Sequence, residues 1–267
     1  MSDSRKRRGS AALHFDRTLT KFWVNGEMGY SCHMVIANFG LLSEDYHDKT
    51  TELRNRYYPM EVDPDLPHEE KLEAMKQWVL EAHEAMVETG MTKSTIVEAV
   101  SKANLELRPG HDKLFRLLET EKVPFLVFSA GLADVLEEIF RQRAEAPVPS
   151  TCHVISNRME FDDEGKMIGF KGKTYHVFNK LASPEEPYFR TEEMKGRTNV
   201  LLLGDSLGDL KMSKGIETKE VLTIGFLNDN VDEMLEEYMD AYDAVIVGDG
   251  GLDLALEILG EVTAKAD

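Results

Sequence analysis

Asn199-Val-Leu-Leu-Leu-Gly-Asp-Ser-Leu-Gly-Asp209 is the stretch from which the fold is read. Its first half is a near-continuous apolar run, the pattern of a short strand covered on both faces. Its second half turns at Gly204 and carries two carboxylates, Asp205 and Asp209, four residues apart. The same strand signature recurs at Val123-Pro-Phe-Leu-Val-Phe128, Val221-Leu-Thr-Ile224 and Ala244-Val-Ile-Val247. Helical patterns lie between them, over residues 134–141, 231–242 and 252–259. Strands alternating with helices predict an α/β fold with a Rossmann-like, doubly wound parallel sheet. Met159-Glu-Phe161 and Met167-Ile-Gly-Phe170 flank the turn residues Asp163-Glu-Gly165 and predict a hairpin interrupting that order.

Residues 23–104 read differently. Leu72, Met75, Val79, Ala82 and Met86 recur at spacings of three and four, with Gly90 as a stop. Met34, Val35 and Phe39 predict another helix, as do Ile96, Val97 and Val100 behind the cap candidate Ser94. No strand is expected here. The division that follows is a core of residues 1–22 and 105–267 with an inserted all-helical cap of residues 23–104, Pro109-Gly110 marking the return to the core.

The 267 residues suffice for such a core plus insertion, and 42% hydrophobic content can fill it. A formal net charge of −18 repels nucleic-acid phosphates and anionic lipid, so neither a polynucleotide nor a membrane partner is expected. A small anionic substrate stays compatible, because a metal ion and one or two cations dominate the field inside a cleft. Cys32 and Cys152 are too few for a disulfide framework or a cysteine zinc site. No apolar run approaches the roughly eighteen residues of a membrane helix. The basic run Arg5 to Arg8 has no apolar segment behind it and reads as a tail rather than a secretory signal or nuclear address. The cytoplasm is the expected compartment.

In open α/β sheets ligands sit beyond the carboxyl ends of the strands. Ser129-Ala130-Gly131 follows one strand, where a hydroxyl and main-chain amides suit a phosphate oxygen; by itself Ser129 reads as an ordinary helix cap. Asp205 and Asp209 form a hard-oxygen pair suited to Mg²⁺, though an acidic turn capping a helix has the same spelling. Lys180, closing His176-Val-Phe-Asn-Lys180, supplies a cation, a residue type more often found on the surface. His14-Phe-Asp-Arg-Thr-Leu-Thr20 stands near the N-terminus.

Taken in order, these four segments resemble the four motifs of the haloacid-dehalogenase superfamily: D-x-D-x-T, a strand-end Ser or Thr, a Lys, and a strand-end acidic pair. Phe15-Asp-Arg-Thr-Leu-Thr20, Tyr57-Tyr-Pro-Met-Glu-Val-Asp-Pro64, Phe128-Ser-Ala-Gly131, Phe178-Asn-Lys180, Leu203-Gly-Asp-Ser-Leu-Gly-Asp-Leu210 and Ile224-Gly-Phe-Leu-Asn-Asp229 resemble the type III cytosolic 5'-nucleotidases. The resemblance implies a haloacid-dehalogenase-like core with a helical cap. It also implies Mg²⁺-dependent removal of the 5'-phosphate from pyrimidine or 7-methylguanosine monophosphates. By position, Asp16 would be the general acid and lend its carbonyl to the metal. Ser129 and the Ala130 amide would hold phosphate, and Lys180 would neutralise charge. Asp205 would bind Mg²⁺, with Asp209 ligating directly or orienting Lys180. Glu61 would contact the nucleoside; on the residues alone it reads as a solvated loop carboxylate.

Three departures stand out. The nucleophile position, an aspartate in the pattern, holds His14. An imidazole is a poor Mg²⁺ ligand, and its nitrogen does not fall where a carboxylate oxygen would. Misplacement on the order of 1 Å costs about a hundredfold in rate. Ahead of it only Ala11-Ala12-Leu13 is apolar, so the first strand is expected to be defective together with the nucleophile. That pairing favours a spliced or misassigned start over a natural variant. Ala82 stands where the pattern has a substrate-binding serine. A 5'-nucleotidase is the reading that follows, with a catalytically silent nucleotide-binding protein as the alternative; transfer to a nucleoside acceptor would use the same residues.

Overall fold

A computed structural model describes residues 9–40, 42–180, 187–214 and 217–264; the Arg5 to Arg8 run lies outside them. In chain order the elements are β1 (Gly9–Leu13), β2 (Trp23–Val24), β3 (Glu27–Met28), α1 (Cys32–Ala37), α2 (Glu44–Val62), α3 (His68–Glu88), α4 (Lys93–Lys102) and α5 (His111–Thr120). There follow β4 (Phe125–Leu132), α6 (Ala133–Arg143), β5 (Cys152–Phe161), β6 (Met167–Lys171), β7 (Asn199–Gly204), β8 (Glu220–Leu227), α7 (Val231–Ala241), β9 (Ala244–Val247) and α8 (Asp253–Ala264).

The main sheet runs β6-β5-β4-β1-β7-β8-β9, parallel throughout except for β6, which is the antiparallel arm of the expected hairpin. Side chains alternate between its faces. Leu13, Val127, Leu203 and Ile224 enter one apolar cluster, while Ala12, Leu126, Val200 and Leu202 enter the other. That two-sided burial is why these strands read as unbroken apolar runs. The chain leaves β1 for β4 on one side and reaches β7 on the other, which makes the carboxyl end of β1 a topological switch point.

The expectation of a defective first strand is corrected here. Gly9 to Leu13 lies at the centre of the sheet, pairing with Phe125–Val127 and with Asn199–Leu203. Small side chains suffice because the strand is sandwiched between larger neighbours and held by ladder bonds on both edges. The helical insertion also contains one ladder, β2–β3. Its turn is Asn25-Gly26, both left-handed at φ 54° and 81°, the residue pair that a tight two-residue hairpin favours. Two further adjustments are local. α4 is capped by Thr92 in a reciprocal box with Thr95, not by Ser94. Glu61 lies in the last turn of α2 rather than in a loop.

The two chain crossings between sheet and insertion run side by side. Thr20 bridges Leu107, Lys21 N–H donates to Glu106 O at 3.0 Å, and Arg108 N–H to Leu19 O at 2.8 Å. Arg108 is fully buried between them. Its guanidinium donates to the carbonyls of Arg17 (2.7 Å), Thr18 (2.9 Å) and Gly250 (2.8 Å) and to Asn228 Oδ1 (2.9 Å). Arg108→Met should strip those acceptors of their partner and cost about 2–3 kcal/mol, read by urea unfolding. A loss under about 0.5 kcal/mol would mean that water replaces the guanidinium.

Candidate active site

The loop after β1 is built to leave the sheet abruptly. Phe15, fully buried and edge-on to Phe140 at 5.3 Å, offers one carbonyl to the amides of Thr18, Leu19 and Thr20. Arg17 sits at φ 63°, strained for a side-chain-bearing residue. Its carbonyl is held by Arg108 and by Asn228 Nδ2 at 3.0 Å. His14 remains in the ladder, its N–H donating to Leu203 O at 3.0 Å.

At the end of β7 the chain doubles back. A Cβ on Gly204 would stand 2.5 Å from Asp209 Cβ, so a glycine is required for this approach. Asp209, with no exposed surface, closes the turn. Its Oδ2 accepts from the N–H groups of Asp205 (3.1 Å) and Ser206 (3.0 Å) and from the Ser206 hydroxyl (2.9 Å). Its Oδ1 accepts from Lys180 Nζ at 2.9 Å. Lys180 is itself only 4% exposed. Burial raises the Asp209 pKa, but the charges of Lys180 and His14 and these hydrogen bonds outweigh it and hold the carboxyl well below its ordinary range.

Asp205 Oδ1 accepts from Thr18 Oγ1 at 3.1 Å and from His14 Nδ1 at 2.7 Å. Burial and Lys180 push the His14 imidazole down; Asp209 and Asp205 together prevail, and it holds its proton above the ordinary range. His14, Asp205 and Asp209 each place a donor atom within 4.8 Å of the others. Among these, Asp209 has both oxygens engaged. The donors left to a cation are a nitrogen and the Asp205 carboxylate, whereas Mg²⁺ takes oxygen ligands. At position 14 this donor set does not fit Mg²⁺.

Ser129 lies inside β4, not at a helix start, in a stretch where the pairing with β5 shifts register. Leu132 occupies the cap position of α6, so the helix-cap reading of Ser129 fails. The buried Ser129 hydroxyl accepts from Gly131 N–H at 3.0 Å. A Cβ on Gly131 would meet Ser129 Oγ at 3.0 Å and Asp16 Oδ2 at 3.3 Å, which places the Asp16 carboxylate against this stretch. Asp16 Oδ1 accepts from Cys32 N–H at 2.9 Å. The Ala130 carbonyl accepts from Asn157 Nδ2 at 2.8 Å. Burial raises the Glu61 carboxyl against the pull of Lys180 and Lys71, and Lys71 Nζ donates to the Glu61 carbonyl at 3.2 Å. Ala82 packs in a cluster with Tyr57, Met75, Val177 and Phe178, where the insertion meets the Lys180 segment.

His14, Asp205, Asp209 and Lys180 therefore form one contiguous group, while Asp16, in the loop after β1, lies against the Ser129–Gly131 stretch of the neighbouring strand β4. Several members escaped the sequence reading. Thr18 was legible as the last residue of D-x-D-x-T. Cys32 N–H, which holds Asp16, and Arg108 left no signal. A separate open cavity of about 610 Å³, lined in part by Glu137, Phe140 and Cys152, lies between the end of α6 and the start of β5 and is lined by none of this group.

Residues 17–263 match the family model described as pyrimidine 5'-nucleotidase (UMPH-1). The chain belongs to the pyrimidine 5'-nucleotidase family. The chain is 42% identical over 254 residues to the 7-methylguanosine phosphate-specific 5'-nucleotidase A of Xenopus laevis, covering 94% of this chain and 86% of that one. It is 39% identical over 252 residues to the human 7-methylguanosine phosphate-specific 5'-nucleotidase, covering 94% and 83%. The crystal structure of cytosolic 5'-nucleotidase IIIB bound to cytidine superposes with a TM-score of 0.87 at 30% identity, over 98% of this chain and 88% of that one. These pyrimidine 5'-nucleotidase relatives are phosphoric monoester hydrolases with a haloacid-dehalogenase-type core. Among the described residues no helix is long and apolar enough to cross a membrane.

Proposed function

We propose that the crevice at the ends of β1, β4 and β7 is built for the 5'-phosphate of a nucleoside monophosphate. The reaction of the site is hydrolysis to nucleoside and phosphate, and His14 holds this chain far below the rate of a family-type site. One observation carries the reading: a buried lysine, pinned by a buried aspartate, stands beside Asp205 and position 14 at the sheet's switch point. Burying an ammonium is costly without a task or a partner. Here the partner, Asp209, fixes the ammonium where a phosphoryl group would arrive.

In this reading Lys180 neutralises the phosphoryl oxygens and Asp209 positions Lys180. Ser129 and the Ala130 amide hold phosphate. Asp16 protonates the departing 5'-oxygen and then takes a proton from water. Position 14 is the nucleophile position. In a family-type site, with a carboxylate at position 14, Asp205 and the Asp16 carbonyl would hold Mg²⁺, which would offset phosphoryl charge; with His14 in place no step of this chain is assigned to that ion. The core and the 23–104 insertion act as two domains around the crevice. The cytosol is the compartment we assign, on the name of the structural relative. The alternative, a silent nucleotide-binding protein, is favoured by the 2.7 Å bond that ties His14 to Asp205.

Glu61 supplies the test of the nucleoside side. Glu61→Gln should change the relative binding of cytidine, uridine and 7-methylguanosine monophosphates, by about tenfold for the nucleotide it contacts. Inorganic phosphate should bind as before. Calorimetric titration of the four ligands checks this; equal losses for all four would make Glu61 a support of the fold, and no binding of any by the unsubstituted chain would remove the site.

A further inference from the structure

The exchange of a carboxylate for an imidazole at position 14 alters which cation the site suits, and the geometry shows how far. Asp209 cannot serve as a free ligand, since its two oxygens already accept four hydrogen bonds. Asp205 Oδ2 makes no hydrogen bond among the described residues, and Oδ1 faces His14 Nδ1 across 2.7 Å. The donors left are one ring nitrogen and one carboxylate. Nitrogen donors raise affinity for first-row transition ions along the series from Mn²⁺ to Cu²⁺ and contribute little to Mg²⁺.

We propose that this chain binds a divalent first-row transition ion between His14 Nδ1 and Asp205, in preference to Mg²⁺. The inference rests on the reading of Asp205 as a metal ligand. Coordination requires the Nδ1 lone pair, so the ring proton sits on Nε2 in the bound state. Thr18 Oγ1, 3.1 Å from Asp205 Oδ1, orients that carboxylate from behind, and the ladder bond from His14 N–H to Leu203 O fixes the backbone that carries the ring. Lys180 stays with Asp209 and does not compete for either donor.

The probes are Mg²⁺, Mn²⁺ and Co²⁺ as chlorides, titrated calorimetrically into the full chain, His14→Asp, His14→Gln and Asp205→Asn. The Co²⁺-to-Mg²⁺ affinity ratio of the parent should fall on His14→Asp by about 10–100-fold, the scale of ligand-shell changes. His14→Gln, which keeps the polarity of the position without the ring, should lose Co²⁺ affinity without gaining Mg²⁺. Spin-echo spectra of the Mn²⁺-loaded parent should show modulation from a directly bound nitrogen, absent in both His14 variants. That readout needs no activity and, in the parent, no folded variant. Absence of nitrogen modulation in a parent whose Mn²⁺ is lost on Asp205→Asn overturns the proposal while keeping Asp205 as a ligand. Unchanged affinities in Asp205→Asn overturn the metal-ligand reading itself and this proposal with it.

Discussion

His14→Asp should raise turnover of nucleoside 5'-monophosphates in Mg²⁺ by at least about a hundredfold, the scale attached to a misplaced reacting group. The rest of the arrangement is already in place. β1 pairs with both neighbours up to Leu13, and His14 keeps its ladder bond. Position 14 is therefore delivered to the switch point whatever its side chain. A carboxylate there offers an attacking oxygen and a hard donor opposite Asp205, and it releases Asp205 from the imidazole. Phosphate release from cytidine and 7-methylguanosine monophosphates measures the effect. A fast parent that stays fast as His14→Ala would place the nucleophile elsewhere. An inactive His14→Asp that still binds nucleotide would favour the silent binding protein.

Lys180→Met carries the largest expected stability loss, about 3–5 kcal/mol at neutral pH, because it leaves a fully buried carboxylate without its cation. The pH dependence has a definite sign. The folded-state pKa of Asp209 is depressed, so its contribution is complete above the ordinary aspartate range, about 3.9, and is lost as pH falls toward the folded value. Without Lys180, burial gains weight and the folded pKa moves up. The gap between parent and variant should then be widest near neutrality and shrink as the solution is acidified. Urea unfolding at several pH values reads both quantities. A gap that is small at neutrality, or that grows on acidification, would show that Lys180 and Asp209 are not coupled as the geometry has them.

The outer architecture was legible in the sequence because its strands are covered on both faces by large residues. Val200, Leu201, Leu202 and Leu203 are all buried, and burial of that kind writes itself as an apolar run. β1 was misjudged for the converse reason. Its Gly9-Ser-Ala-Ala12 carries little apolar bulk, and its place at the sheet centre comes from pairing, which residue types do not encode. The β2–β3 ladder was signalled by Asn25-Gly26, yet two-residue strands fall below the length at which alternation can be seen. Asp16, Ser129, Lys180, Asp205 and Asp209 were singled out from strand ends and resemblance. Arg108 and the Cys32 amide were not. Each acts through partners at least sixteen residues distant, and no local pattern marks a side chain whose acceptors are carbonyls of another segment. Glu61 was read as a loop residue. The helix instead carries Pro59 in its final turn and continues to Val62.

Whether position 14 is the nucleophile position is read directly by ¹⁹F NMR of His14→Asp with beryllium fluoride and Mg²⁺, followed by the crystal structure of the same complex. Fluoroberyllate mimics a phosphoryl group on a carboxylate. A bound fluoroberyllate is expected on the carboxylate introduced at position 14, within hydrogen-bonding reach of Lys180 and Ser129, with no bound signal in the unsubstituted chain. Fluoroberyllate on Asp16 instead, or no binding by His14→Asp at all, would contradict it.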